Sequence, residues 1–226
     1  MTLDRETVIR AALRLLDEVG LEGLTLRRIA TDLKVKAPAL YWHFSSKQDL
    51  LDAMATTVLT DAFNADDGSW EELAWPDFLR DYGSTLRHAL LRYRDGAKMV
   101  PGTYLTDPSM YGVMERALGV LTAAGFSPET ASLALGTTYS FTVGHAIEEQ
   151  GMRPRPGQQD PRYDREARRE RIDPDTQPTV AALNEAAPSL ATDADRAFDR
   201  GLDLIITGLA AGLAPESRSA APHTEP

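Results

Sequence analysis

Cysteine is absent from all 226 residues. That excludes disulfides and thiolate metal sites, and nothing points to an oxidising compartment. Long apolar runs are absent too. No stretch approaches the roughly 20 residues that a membrane-spanning helix needs. The charged, polar opening is not that of a secretory signal. A soluble, cytoplasmic protein with no membrane partner is expected. Strand-like alternation never persists and no internal repeat is visible, which leaves an all-α fold. Positive charge is in short supply: 24 Lys and Arg against 34 Asp and Glu give a net charge of −10. Taken over the whole chain, that argues against a nucleic-acid partner.

What is present is unevenly spread. Through Gln48 there are eight basic and six acidic residues, so this head stands at +2 and the remainder at −12. A mildly basic end on an acidic body can meet phosphate with one end only. Apolar residues make up 42%, ample for a core in one large or two small domains.

Helical periodicity runs through most of the chain. Val8, Ala12, Leu15 and Val19 predict a helix over 4–19, capped by Asp4 or Thr2 and ended by Gly20. Thr25 caps a short helix over 26–33, and a second short helix starts near Ala37 with Pro38 in its first turn. Ser45 and Gln48 have capping-box spacing before a helix that runs to Phe63. Residues 64–75 read as a loop. Further helices are expected from Pro76 to Arg94, from Asp107-Pro108 to Gly125, from Ser127-Pro128 to Gln150, weakly after Pro178, and over 194–213. Residues 152–177 are rich in proline, arginine and aspartate and read as a mobile charged loop holding a helical piece in 163–171. The tail, 216–226, is expected to be disordered.

Two short helices joined by Lys34-Val35-Lys36 carry the functional signal. Ala30 is small enough to let the pair cross, and Val35 with Leu40 forms an apolar plug between them, which is helix-turn-helix spacing. In the second helix only Leu40 is plainly a core residue. Small residues at 37 and 39 let it enter a major groove, leaving Tyr41, Trp42 and His43 to reach sugar and phosphate. Lys47 starts the next helix, where backbone N–H groups favour a phosphate. The competing reading makes Tyr41 and Trp42 core aromatics, one or both packed inward.

The run Leu24-Thr25-Leu26-Arg27-Arg28-Ile29-Ala30, then Val35, then Ala39-Leu40-Tyr41-Trp42-His43-Phe44-Ser45-Ser46-Lys47 resembles the DNA-binding domain of the TetR family. Downstream, Arg94-Asp95-Gly96-Ala97-Lys98, Gly125-Phe126-Ser127 and Gly201-Leu202-Asp203-Leu204-Ile205-Ile206 are similar to its tetracycline-repressor subgroup. The resemblance covers nearly all of the chain except 152–190 and the tail. It implies about ten helices and a homodimer closed by a C-terminal four-helix bundle. It also implies DNA contacts at Arg27, Ala37, Pro38, Ala39, Tyr41, Trp42, His43 and Lys47. Thr25, Leu26, Arg28 and Lys36 complete the candidate DNA-binding set. Ala37 stands where the subgroup has a glutamine able to pair with a base, and alanine offers only a methyl contact, so a different operator is expected. Lys34 stands where a glycine is usual, at some backbone cost.

The resemblance also places effector contacts at Phe63, Tyr82, Leu86, Val100, Thr103, Tyr104, Leu105, Ala117, Leu135, Ser140 and Glu148. Met114, Tyr139 and His145 join them as residues suited to an adaptable pocket, against the plain alternative of core packing. Val100 replaces a histidine that holds magnesium in the subgroup. Tyr82, Ser140, Ala117 and Tyr104 replace four further polar contacts, and Glu148 alone persists. Magnesium–tetracycline is therefore not expected to bind with useful affinity; an apolar, aromatic or polyketide-like effector is. His145 and Glu148 have the i, i+3 spacing of a metal pair but lack a third ligand, so no metal and no cofactor are expected.

Residues 1–47 thus read as a helix-turn-helix domain, 46–63 as a connecting helix, and 64–215 as a ligand-binding and dimerisation domain. The helices at 127–150 and 194–213 carry small and aliphatic residues on more than one side, among them Ala131, Leu135, Gly144, Gly201, Ile205 and Leu209, and one broad face fits a subunit interface against the plain alternative of a monomer core. The expected protein is a repressor that binds a palindromic operator in double-stranded DNA as a homodimer and is released by a small molecule. Two other readings stay open. One is a regulator with no small-molecule ligand, protein-switched or constitutive. The other is an enzyme using the same pocket, which would lack a nucleophile–base–orienter set.

Overall fold

The structure is a computed structural model, and it describes residues 3–64, 69–153, 160–186 and 193–213. The tail beyond 215 and part of the 152–177 loop lie outside the described residues. The fold is all-α, as expected, with eleven α-helices and no strand among the described residues. Two of the eleven are short, α6 (Gly96–Met99) and α9 (Arg165–Arg169), the latter inside the helical piece expected over 163–171.

Local chemistry sets the first four helices. In α1 (Arg5–Gly23), the Asp4 carboxylate accepts the Thr7 N–H, and Val8, Leu13 and Leu16 are buried. Gly20, at φ +70° and ψ 175°, breaks the helix where the sequence predicts a stop, and one further turn follows. In α2 (Leu26–Asp32) the Thr25 hydroxyl accepts the Arg28 N–H. α2 ends with Lys34 at φ +57°. There the Lys34 N–H reaches the Thr31 carbonyl at 3.1 Å and the Val35 N–H reaches that of Ala30 at 2.9 Å, the two bonds of a Schellman turn. α3 (Ala37–Tyr41) carries Pro38 in its first turn.

α4 (Lys47–Phe63) corrects one expectation. Its cap is Ser46, which accepts from Asp49, not Ser45 with Gln48. Asp49 reaches back to the Ser45 N–H at 2.9 Å, so the capping exchange runs one residue later, with a shorter carboxylate in place of the amide. Arg10 pairs with Asp61 and fastens α1 along α4.

The larger body is built on α5 (Trp75–Leu91) and α8 (Pro128–Met152), with α7 (Ser109–Ala123) and α11 (Ala194–Leu213) against α8 and α10 (Pro178–Ala186) beside α9. Trp70 anchors the body. It is fully buried, its ring 5.7 Å from Phe63 and 5.2 Å from Phe78, and its indole N–H bonds Asp81 at 2.8 Å. Residues Ser69–Glu72 are therefore a 3-10 turn, not the open loop expected over 64–75. Burying a side chain of that size stabilises by about 3 kcal/mol, enough to order the turn that carries it. Gly201 on α11 lets the Phe141 ring lie where a Cβ would otherwise stand, only 2.2 Å away.

Candidate functional site

Leu40 is the single buried residue of α3. It closes the α2–α3 plug with Ile29 and Ala30, which turns the rest of the short helix outward. Tyr41 is 58% exposed and Trp42 89% exposed. Two large aromatics left in water beside a packed helix pair are unusual and mark a surface made to meet something. Neither is a core aromatic, so the competing reading of these two fails, including the version in which one packs inward. Thr25, Arg27, Arg28, Lys36, Pro38 and Lys47 are exposed on the same head, while Ala37, Ala39 and His43 are half-buried. Leu26 is a correction: its side chain is buried, because the first turn of α2 points it into the core with Ile29. It offers no side chain to a partner. Arg5, not singled out from the sequence, holds the end of α3. Its guanidinium donates to the His43 carbonyl and to Asp49, and lies 4.2 Å from the Phe44 ring centre.

The head is tied to the body through the residues around α6. The Asp95 carboxylate accepts the Leu21 N–H at 3.0 Å, just past the Gly20 break. The Arg94 N–H reaches the Asp17 carboxylate at 2.8 Å and its guanidinium reaches the Glu18 carbonyl at 3.1 Å. Lys47 donates to the Leu21 carbonyl at 3.0 Å from the α4 side. Beyond α6, the Tyr104 N–H donates to Asp52 at 3.2 Å and the Thr106 N–H to Thr56 at 2.9 Å, both on α4. Residues flanking α6 are thus bonded to α1 on one side and to α4 on the other.

In the body, Phe63, Leu86, Val100 and Ala117 are buried, and Tyr82, Thr103, Leu105, Leu135 and Tyr139 are partly so. Phe63 and Tyr82 stack, with ring centres 5.3 Å apart. Burial, with Tyr139 nearby, pushes the Tyr82 phenol up to about 12, so it stays a neutral hydrogen-bonding group at physiological pH. Burial also raises the Tyr139 phenol. Tyr104, Met114, Ser140 and Glu148 lie exposed on the single chain, apart from this buried group.

His145 and Glu148 do not form a pair. His145 is buried and its Nε2–H donates to the Ala194 carbonyl at 3.1 Å, whereas Glu148 faces solvent. Burial, then the Arg87 charge, holds the His145 pKa below its ordinary value. The buried acid is the next residue, Glu149. Arg87 on α5 donates twice to its carboxylate, at 2.9 and 2.8 Å, and reaches Asp195 on α11 at 2.7 Å. Burial opposes the Arg87 charge, but these two carboxylates overcome it and raise its pKa. One guanidinium thus clamps α5, α8 and α11. Sequence reasoning missed it, though a signal existed: Arg87 follows Gly83 and precedes Leu90 on the inward stripe of α5, where a charge needs a partner.

Two family descriptions match the chain. "Bacterial regulatory proteins, tetR family" covers residues 8–54, and "Tetracyclin repressor-like, C-terminal domain" covers residues 68–213. The chain belongs to the TetR family. It is 41% identical over 213 residues to the tetracycline repressor protein class C of Escherichia coli, spanning 92% of this chain and 90% of that one. A possible TetR family transcriptional regulator from Streptomyces coelicolor A3(2) superposes with a TM-score of 0.79 at 37% identity, covering 92% and 100% of the two chains. The Streptomyces coelicolor TetR family protein ActR, in complex with actinorhodin, superposes with a TM-score of 0.77 at 27% identity, covering 95% and 100%. This TetR-family chain is accordingly a transcriptional repressor by kind, and the relatives it matches are transcriptional regulators. No described helix is long and apolar enough to cross a membrane.

Proposed function

We propose that the chain represses transcription as a homodimer on a palindromic operator and is released by a small, largely apolar or aromatic effector other than magnesium–tetracycline. The observation that carries this is the outward Tyr41-Trp42 pair at the end of α3, with Leu40 alone turned in. A helix so anchored can enter a major groove while Arg27, Lys36 and Lys47 meet phosphate. Ala37 favours a thymine methyl over a polar base edge, which separates this operator from one read by glutamine.

The effector would lie among Phe63, Tyr82, Leu86, Val100 and Ala117. Aromatic rings and aliphatic carbons dominate there, and the Tyr82 phenol supplies a neutral polar handle. Val100 cannot ligate a metal. ActR, crystallised with actinorhodin, supports a small-molecule effector. Val100 terminates α6, so a ligand that preferred a displaced α6 would act on α1 and α4 through the Asp95, Arg94, Tyr104 and Thr106 bonds. It shifts the equilibrium only by its preference for the released state.

The test is selection of bound duplexes from random sequence, followed by anisotropy titration of the winner. Wild type should bind far more tightly than to scrambled DNA, and Trp42→Ala should lose most of the affinity while keeping its helical content. Equal binding of winner and scramble defeats the DNA reading. Calorimetry with tetracycline and magnesium should show no tight binding; nanomolar, magnesium-dependent heat would defeat the effector reading alone.

A further inference from the structure

Arg5 is the first residue of α1, where a cation opposes the helix dipole and gains nothing locally. Its contacts lie 38 and 44 residues away in sequence. The guanidinium donates to the His43 carbonyl and, at 3.2 Å, to one Asp49 oxygen. It also lies 4.2 Å from the ring centre of the fully buried Phe44. The other Asp49 oxygen accepts the Ser45 N–H at 2.9 Å and the Ser45 hydroxyl at 3.2 Å. Arg5 and Asp49 thus fasten the corner between α3 and α4 to the start of α1.

That corner needs fastening. α3 has five residues, too few to hold a helix by its own bonds. Leu40 is its one buried residue, and a single anchor fixes a point on a helix but not its direction. The turn at Lys34 holds one end and the Arg5 fork holds the other. Trp42, His43 and Lys47 all belong to this corner, so a small rotation of it displaces the three together. Asp49 offsets the Arg5 charge, and the guanidinium is already committed to two acceptors, which leaves it poorly suited to a phosphate. We infer that Arg5 is a positioning residue for operator binding: it sets the exit of α3, and with it Trp42, His43 and Lys47, without itself meeting DNA. The inference rests on the DNA reading above. If loss of Arg5 leaves each head correctly arranged about a tenth of the time, apparent affinity falls about tenfold per head and about a hundredfold for two heads.

The test is anisotropy titration of the selected duplex with full-length wild type, Arg5→Ala and Arg5→Lys over a series of salt concentrations. Arg5→Ala should bind about a hundredfold more weakly, with an unchanged salt slope. Its unfolding midpoint should stay near that of wild type, because a half-exposed ion pair adds little to stability. Arg5→Lys keeps the charge and loses the planar fork, so it should bind within about threefold of Arg5→Ala. Hydrogen exchange on the free proteins adds a readout that needs no DNA: the Ser45 amide should lose protection in Arg5→Ala while the buried turns of α1 and α4 do not. Wild-type affinity in Arg5→Ala overturns the inference. So does a slope flattened by about one unit per head, which would make Arg5 a phosphate contact. Wild-type affinity in Arg5→Lys overturns it too, since charge alone would then suffice. Failure of wild type to prefer the selected duplex defeats the DNA reading itself, whereas unchanged exchange at Ser45 defeats the inference whatever the DNA result.

Discussion

Lys34 sits at φ +57°, in a region that penalises any side chain with a Cβ, because the turn between α2 and α3 needs a left-handed residue there. Lys34→Gly should therefore raise stability by about 1 kcal/mol in urea unfolding. A loss of stability would show that the lysine side chain supplies a contact outweighing the strain. Arg87 presents the opposite case. Its two carboxylates make it tolerable in the core, so Arg87→Met should cost about 3–5 kcal/mol by stranding the buried Glu149. Arg87→Met with Glu149→Met should regain most of that loss. His145 adds a pH dependence. Its folded value lies below the ordinary 6.5, so the unfolded chain binds more protons in the interval between the two. Its contribution is complete above about pH 6.5 and is lost as pH falls through the folded value. Wild-type stability should fall more steeply than that of His145→Phe between pH 7 and pH 5, read from urea midpoints; parallel curves would place the ring in water.

The element that links head to body is α6, only four residues long. Removing one of its ties should loosen one place. In Asp95→Ala the Leu21 amide should lose hydrogen-exchange protection by tenfold or more, with the α5–α8 core unchanged. Unchanged exchange at Leu21 would mean that the tie does not hold in solution. Helices with self-announcing ends were legible in the sequence: Thr25 and Ser127 cap where they were expected to, and α11 spans the expected 194–213. α8 was legible as a helix but not in its facing. It carries apolar or small residues on every side, so no stripe tells inside from outside, and adjacent positions turn by about 100°. The resemblance gives Glu148 as an effector contact, and it is exposed on the single chain; the buried acid that pairs with Arg87 is the adjacent Glu149, which no face pattern singles out. The ties of Arg94, Asp95 and Lys47 to α1 were hidden for a different reason. They join residues far apart in sequence, and polar side chains bonding to backbone leave no periodic pattern.

At the scale of the molecule, the proposed homodimer would cover two leucines that the single chain leaves exposed. Leu133 on α8 and Leu204 on α11 are 67% and 76% exposed. A body with an excess of acid also needs its basic head set apart if it is to approach DNA. Leu204→Glu should turn a dimer into a monomer in sedimentation and abolish operator binding with it; a dimer that survives would locate the interface elsewhere. Arg27→Ala should flatten the log–log salt dependence of binding by about one unit if that side chain meets a phosphate. The central claim is that two copies present α3 to successive major grooves of one duplex. Footprinting of the selected DNA at measured stoichiometry tests it directly. The account predicts two protected half-sites, about 10 base pairs apart centre to centre, at two chains per duplex. One undivided protected site at one chain per duplex would contradict it.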